Sequence, residues 1–319
     1  MPGTASLRDK HSPMNEARQI WYRGSVCRVF IAAMLASGLC AACSGSAQAS
    51  FLAPGGPIAA QEGNLFYWVI GLMMIVLIPV FVLVPWFAWR YRRSNSRSEY
   101  RPGWDFSWPL EFLIWGVPVL LLLGLAFLIW PNTVRLDPYK PVDGTTPMEV
   151  QVVGLDWKWL FIYPELNIAT VKEMAFPMER QVHFAITSDT VMQSFFIPTL
   201  GSQVYAMAGM VTQLHLKADR AGTFKGENNQ FNGMGFQDQK FAAIALPASN
   251  FKDWVRKVRE LGRPLDENGY KALEERTTVK APVYFSSVEP GLFRKIVQKY
   301  ALGNRQPLAS RPDRQEARR

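Results

Sequence analysis

Cysteine is almost absent from this chain of 319 residues. The three that occur, Cys27, Cys40 and Cys43, all lie close to the N-terminus. Everything beyond Cys43 is therefore unable to form a disulfide framework, a thiolate metal site or a cysteine nucleophile. Histidine is as scarce, and only His183 and His215 fall in the second half of the chain. Both lie in apparent strands, where a histidine is more often structural than a ligand. No nucleophile–base pair, phosphate-cradling glycine loop or internal repeat occurs. The net charge of +9 comes largely from the N-terminal region, one short loop and an arginine-rich tail (Arg305, Arg311, Arg314, Arg318, Arg319). No basic–aromatic array accompanies it, so nucleic acid is not an expected partner.

Charge is also missing from Leu65 to Trp89, a run of apolar residues long enough to cross the roughly 30 Å hydrocarbon core of a bilayer. Pro79 and Pro85 are compatible with a spanning helix that has neighbours. A second run, Leu110 to Trp130, carries one charge, Glu111, at its start. The loop between them holds Arg90, Arg92, Arg93, Arg97 and Arg101 against Glu99 and Asp105. By the positive-inside bias that loop is cytoplasmic, and both ends of the hairpin lie outside. Phe66, Tyr67, Trp68, Trp86, Trp89, Tyr91, Trp104 and Trp108 stand where an interfacial aromatic belt belongs. Mean hydropathy of −0.02 is too low for spans alone, so a sizeable non-membrane part follows.

The first 49 residues read as a secretory leader: Arg18, Arg23 and Arg28 precede an apolar run from Val29 to Leu39. Translation starts at Met1 or Met14, and processing falls either before a lipidated Cys43 or after Ala49. The hairpin then occupies 50–131, with spans 65–89 and 110–130 and the loop 90–109. Short alternating runs rich in Val, Ile, Phe and Trp predict an all-β domain over 132–248. The expected strands are Met148–Gly154, Trp157–Tyr163, Gln181–Thr187, Val211–Lys217 and Phe241–Leu246. The expected turns lie at Gly154, Pro164–Glu165, Gly201, Gly209 and Gly222. Residues 249–302 read as a helical extension, with Ser249 or Asn250 capping Phe251–Leu261 and further helices at Asp266–Glu275 and Pro290–Ala301. The polar stretch 303–319 has the composition of a disordered tail.

Local sequence across 60–250 resembles subunit II of the haem–copper respiratory oxidases. Glu111, Trp115 and Pro118 are similar to that family's second-helix signature, and Asp156-Trp157-Lys158-Trp159 to its aromatic stretch. Ser188 to Pro198 (SDTVMQSFFIP) matches a family segment in which histidine stands where this chain has Gln193. The resemblance implies a cupredoxin-like Greek-key domain. In the branch that oxidises cytochrome c, the resemblance implies a dinuclear copper site in that domain, held by one histidine and a C-x-E-x-C-x-x-x-H-x-x-M run with bridging thiolates. Aligning that ligand run places Phe231 and Gly235 at the two cysteines, Gly233 at the glutamate, Gln239 at the second histidine and Ala242 at the methionine. None is a competent soft ligand. Loss of the metal with retention of the fold points to the quinol-oxidising branch. The stretch Gln193–Met210 and the C-terminal extension resemble cytochrome bo-type ubiquinol oxidases.

That resemblance implies no cofactor in this chain, with haems and copper in a partner subunit I and ubiquinol as the substrate of the complex. Subunits I, III and IV and membrane lipid are the expected partners, and cytochrome c is not. The expected location is the bacterial inner membrane, with the β-domain in the periplasm. Glu111 corresponds to a residue near the mouth of a proton channel, although Ser107, Pro109 and the helix dipole would also account for a carboxylate there. Trp157 and Trp159 are expected to pack the domain onto subunit I. Met192, Met207, Met210 and Met234 are expected in the core. The competing class is a free-standing, membrane-tethered degenerate cupredoxin acting as a sensor. A copper-bearing subunit would require cysteines at positions 231 and 235.

Overall fold

A computed structural model describes residues 51–95 and 103–301. Helix α1 (Pro57–Arg90) opens on a proline in its first turn, where a missing N–H costs nothing, and contains Pro79 and Pro85. It begins ahead of the expected Leu65, so the apolar run is its lower part. Helix α2 (Trp108–Arg135) follows, with Ser107 at its N-cap position but without a side-chain capping bond. Both are long and apolar enough to cross a membrane. They meet where Gly124 lets Leu72 approach. Their remaining faces, including Trp68, Phe81, Phe112, Trp115, Phe127 and Trp130, are exposed.

The β-domain is a sandwich of two sheets. Its strands are β1 (Met148–Leu155), β2 (Lys158–Tyr163), β3 (Ile168–Val171), β4 (Glu173–Pro177), β5 (Val182–Ser188), β6 (Gln193–Ile197), β7 (Gly201–Ala206), β8 (Thr212–Leu216), β9 (Gly222–Asn228) and β10 (Lys240–Leu246). Helix α3 (Ala248–Leu261), strand β11 (Arg263–Leu265), helix α4 (Glu267–Glu274), strand β12 (Val283–Val288) and helix α5 (Leu292–Ala301) complete the described chain. One sheet has the order β11-β12-β3-β2-β1-β5-β8, the other β4-β10-β9-β6-β7. The inner core lies between them, centred on Trp159, Phe161, Phe195 and Phe241. Phe195 and Phe241 stack with ring centroids 5.2 Å apart, and Trp159 meets Phe195 edge-on at 5.3 Å.

A second apolar core lies on the other side of the larger sheet. Val153, Leu155, Leu160, Ile162 and Val171 pack there against Leu265, Tyr270, Leu273, Phe285, Leu292 and Ile296 of the C-terminal extension. Strand β2 is thus covered on both faces and buried at every position, which erases the alternation of a half-exposed strand.

The chain has more strands than the alternating runs predicted. Strands β3, β4, β6, β7 and β9 escape the pattern because they are short, two-sided or begin on glycine. The extension is not purely helical: β12 pairs with β3, and β11 pairs with β12. Helix α3 starts at Ala248 behind Pro247 rather than at Ser249 or Asn250, and Ser249 instead bonds its neighbour Asn250. Gly262 ends it as expected; a Cβ there would sit 2.5 Å from the Ser286 nitrogen of β12. Of the expected turn glycines, Gly154 lies inside β1 opposite Trp159, and Gly201 and Gly222 open β7 and β9.

Hairpin and β-domain are joined twice. Gly55 and Ala59 donate from their backbone to the Thr199 and Leu200 carbonyls, and Gly56 lies so close to the Lys217 carbonyl that a Cβ would be 2.0 Å from it. On the other strand of the junction, Gln181 accepts from Val142 N–H at 3.0 Å and donates to Asp143 O at 3.0 Å. Asp143 pairs with Lys217 at 3.0 Å. The Thr145 hydroxyl, then Lys217, hold the Asp143 carboxyl down at about 2.

Candidate functional site

Four of the six aligned positions, Gln193, Gly233, Gly235 and Gln239, come together at one end of the sandwich, where the β1–β2 turn, the β5–β6 turn and the β9–β10 loop meet. Gln193 is the first residue of β6 and Gln239 precedes β10, and both are buried. The Gln239 amide donates to Gln193 Oε1 at 2.5 Å, so the two histidine-equivalent positions are bonded directly to each other. Both amides also donate to the Leu155 carbonyl, Gln193 at 3.0 Å and Gln239 at 3.3 Å. Gln193 donates further to the Thr190 hydroxyl at 3.0 Å. Gln239 Oε1 accepts from Asn228 at 2.9 Å and from Asn232 at 2.7 Å. Asn228 in turn receives the Ser194 N–H at 2.8 Å. The result is a nearly closed set of neutral amides, in which Asn232 Oδ1 is buried without a partner.

Glycines make room for this set. A Cβ on Gly154 would lie 2.7 Å from Gln193 Oε1. At Gly235 it would lie 2.3 Å from the Trp157 indole, and the same ring covers Gly233 at 3.5 Å. Trp157 sits in the β1–β2 turn at φ +64°, and its indole N–H donates to Asn232 O at 3.2 Å. The two other aligned positions are not part of the cluster. Phe231 is 73% exposed, and Ala242 lies in β10 on the face opposite the core residues Phe241 and Ala243.

The donor set does not suit a bridged copper pair. It consists of amide and carbonyl groups, without thiolate, imidazole or thioether, and the indole of Trp157 fills the space a side chain at position 235 would need. Among the described residues no group of three or more His, Cys, Asp or Glu could hold a metal ion.

Other expectations fare differently. Trp159 is 1% exposed in the inner core and so does not face a partner, whereas Trp157 is half-buried over the loop glycines. Met192, Met210 and Met234 are exposed rather than core residues, because they occupy the turns and loop at the tip. His183 and His215 face each other across β5 and β8 with rings 4.7 Å apart. His215 Nδ1 lies 3.4 Å from Pro138 O, while His183 Nε2 is buried without a partner. Burial lowers the His215 pKa, the Pro138 carbonyl opposes that, and His183 reinforces it. Sequence reasoning missed Asn228 and Asn232, whose only sequence signal is a run of amides near Gln239, and gave no role to Thr190 within the Ser188–Pro198 segment.

Glu111 stands in the first turn of α2, half-buried, and accepts from the Trp115 indole at 3.0 Å. It lines an apolar surface groove of about 440 Å³ with Phe106, Trp108, Phe112 and Trp115. Cys43 lies outside the described residues.

Two family models match the chain: the periplasmic domain of cytochrome c oxidase subunit II over residues 164–245, and the cytochrome oxidase aromatic-rich motif over 259–304. Cytochrome bo(3) ubiquinol oxidase subunit 2 of Pseudomonas aeruginosa is 47% identical over 248 residues, 77% of this chain and 75% of that protein. Ubiquinol oxidase subunit 2 of Acetobacter aceti is 47% identical over 79% of this chain and 83% of its own length. Quinol oxidase subunit 2 of Bacillus subtilis is 35% identical over 72% of each. Among solved structures, the periplasmic domain of cytochrome oxidase subunit II of Bradyrhizobium japonicum aligns with 36% of this chain and 96% of its own, at 19% identity and a TM-score of 0.35. With this coverage and identity to ubiquinol oxidase relatives, the chain belongs to the ubiquinol oxidase subunit 2 family of the haem–copper oxidases, and is a membrane-anchored subunit of such a complex.

Proposed function

We propose that this chain serves its oxidase as the subunit without a redox centre. Haems and copper belong to subunit I, which takes electrons from ubiquinol and reduces oxygen to water. This chain binds none of them. Its hairpin holds subunit I in the membrane, its β-domain covers that subunit's outer face, and subunits III and IV complete the complex. The assembly sits in the bacterial inner membrane with the β-domain in the periplasm, after the leader has been removed before Cys43 or after Ala49. The observation that carries the reading is the direct bond between Gln193 and Gln239, where two amides close on each other in place of two imidazoles.

Glu111 is assigned to the entrance of the proton-uptake path. A carboxylate half-buried beside the aromatic groove of α2 is costly in lipid and is held by one indole N–H, so it is placed to exchange protons with a partner surface.

Purification of the chain in mild detergent tests the first reading. Haem should co-purify with a large partner and with one copper per complex, and quinol-driven oxygen uptake should be insensitive to added cytochrome c. A colourless chain purifying alone would overturn it in favour of a free-standing module, and a near-infrared copper band from this subunit would overturn the metal-free assignment. For Glu111, the variant Glu111→Gln should lower oxygen uptake severalfold with an unchanged haem spectrum. Wild-type turnover would remove the residue from the proton path.

A further inference from the structure

Three buried charged residues next to the amide network, Asp156, Lys158 and Asp189, are contacted by the C-terminal extension. In the β1–β2 turn, Asp156 accepts from Arg276 at 2.9 Å. Lys158 donates to the Glu275 carbonyl at 2.7 Å and to the Thr277 hydroxyl at 2.9 Å. In the β5–β6 turn, Asp189 accepts from the Tyr270 hydroxyl at 2.6 Å and from Lys299 at 3.0 Å. Its backbone carbonyl accepts from the Tyr300 hydroxyl at 2.5 Å. Asp156, Lys158 and Asp189 are 8%, 3% and 3% exposed. Burying three charged side chains is unfavourable unless each is paired. Every side-chain partner here comes from residues 270–300.

Apolar packing alone would hold the extension in place, since Leu273, Leu292 and Ile296 already bury against the sheet. The charged contacts lie elsewhere, on the two turns that bracket Leu155, whose carbonyl receives both Gln193 and Gln239. The β5–β6 turn is also bonded to the end of β1, Asp189 N–H to Gly154 O at 2.9 Å. A metal ion bridging ligands on β6 and the β9–β10 loop would hold these segments in register from within. Neutral amides with only neutral partners are a weaker tie.

We propose that the C-terminal extension is the clasp that holds the tip of the β-domain in register, in the role a bridging metal would otherwise fill. This rests on the tip being metal-free. Lys158 is the central anchor of the first turn and Asp189 of the second. Loss of either anchor frees one turn, so the amide network opens while the rest of the sandwich stays closed.

Hydrogen–deuterium exchange on the purified oxidase complex tests this, comparing wild type with Lys158→Met, which keeps the aliphatic stem, and with Asp189→Asn. Exchange at residues 188–194 and 228–239 should accelerate about tenfold in both variants, with residues 168–177 unchanged. Thr277→Val, which removes one acceptor of Lys158, should give a smaller acceleration in the same segments and serves if the stronger variants do not assemble. Unchanged exchange at 228–239, or loosening spread evenly through the β-domain, would overturn the clasp. Copper analysis of the wild-type complex separates this from the underlying reading: a copper held by this chain would refute the metal-free tip, whatever the exchange result.

Discussion

Removing the Gln239 side chain strands buried polar atoms on several sides at once: Gln193 Oε1 loses its donor, and Asn232 loses its acceptor. Each stranded buried group costs about 1–3 kcal/mol, so Gln239→Leu should destabilise the β-domain by about 2–4 kcal/mol. The double variant Gln193→Leu/Gln239→Leu should cost clearly less than the sum of the two singles, because the second substitution removes an atom the first left unpaired. Thermal melts of the purified complex carrying each variant measure both values, and strict additivity would mean that the two amides are not coupled. The Trp157 conformation belongs to this scale as well. A tryptophan at φ +64° is a costly arrangement, and it persists where the indole closes over two glycines and donates to the Asn232 carbonyl.

Between elements, the clamp joining α2 to the β-domain contains groups that titrate in separate ranges. His215, stacked on His183 beneath Pro138, has its pKa lowered chiefly by burial. The folded state therefore binds this proton less well than the unfolded chain does. The corresponding stability is complete above the ordinary histidine value of about 6.5 and declines as the pH falls through it. Asp143, depressed to about 2, contributes stability that persists until the pH falls from about 4 towards 2. The β-domain should accordingly melt at a lower temperature at pH 5 than at pH 7.5, and His215→Phe should narrow that difference; calorimetry of the complex at both pH values measures it. An equal pH effect in wild type and variant would assign it to other groups.

At the scale of the whole molecule, the chain consists of an exposed apolar hairpin and a twice-covered β-sandwich joined at a tight double contact. The hairpin offers its partners uninterrupted apolar and aromatic faces: Trp108, Phe112, Trp115, Phe127 and Trp130 of α2 are all more than 60% exposed. Such an area is stable in lipid or against other helices and not in water, which is why haem co-purification in detergent is the decisive observation for the assembly. The junction through Gly55, Gly56 and Gln181 fastens the segments that flank the hairpin directly to the β-domain.

By itself the sequence determined the features that depend on composition and period. The spans followed from length and the absence of charge, and the lack of thiols beyond Cys43 followed from counting. The assignment of Gln193 and Gln239 to the two histidine positions followed from alignment to a ligand run, while the bond between them was visible only in the fold. Five strands were legible because each presents at least one apolar face at period two. Tertiary structure alone decided what depends on cover from distant segments. Strand β2 lost its alternation because the extension buries its second face, and Trp159 turned inward because the core aromatics Phe195 and Phe241 received it. Met192, Met210 and Met234 surfaced because loops, not strands, carry them. The amides of Asn228 and Asn232 and the clasp through Lys158 and Asp189 were hidden for the same reason. Their partners lie far away in sequence, and no local pattern records a hydrogen bond formed across a fold.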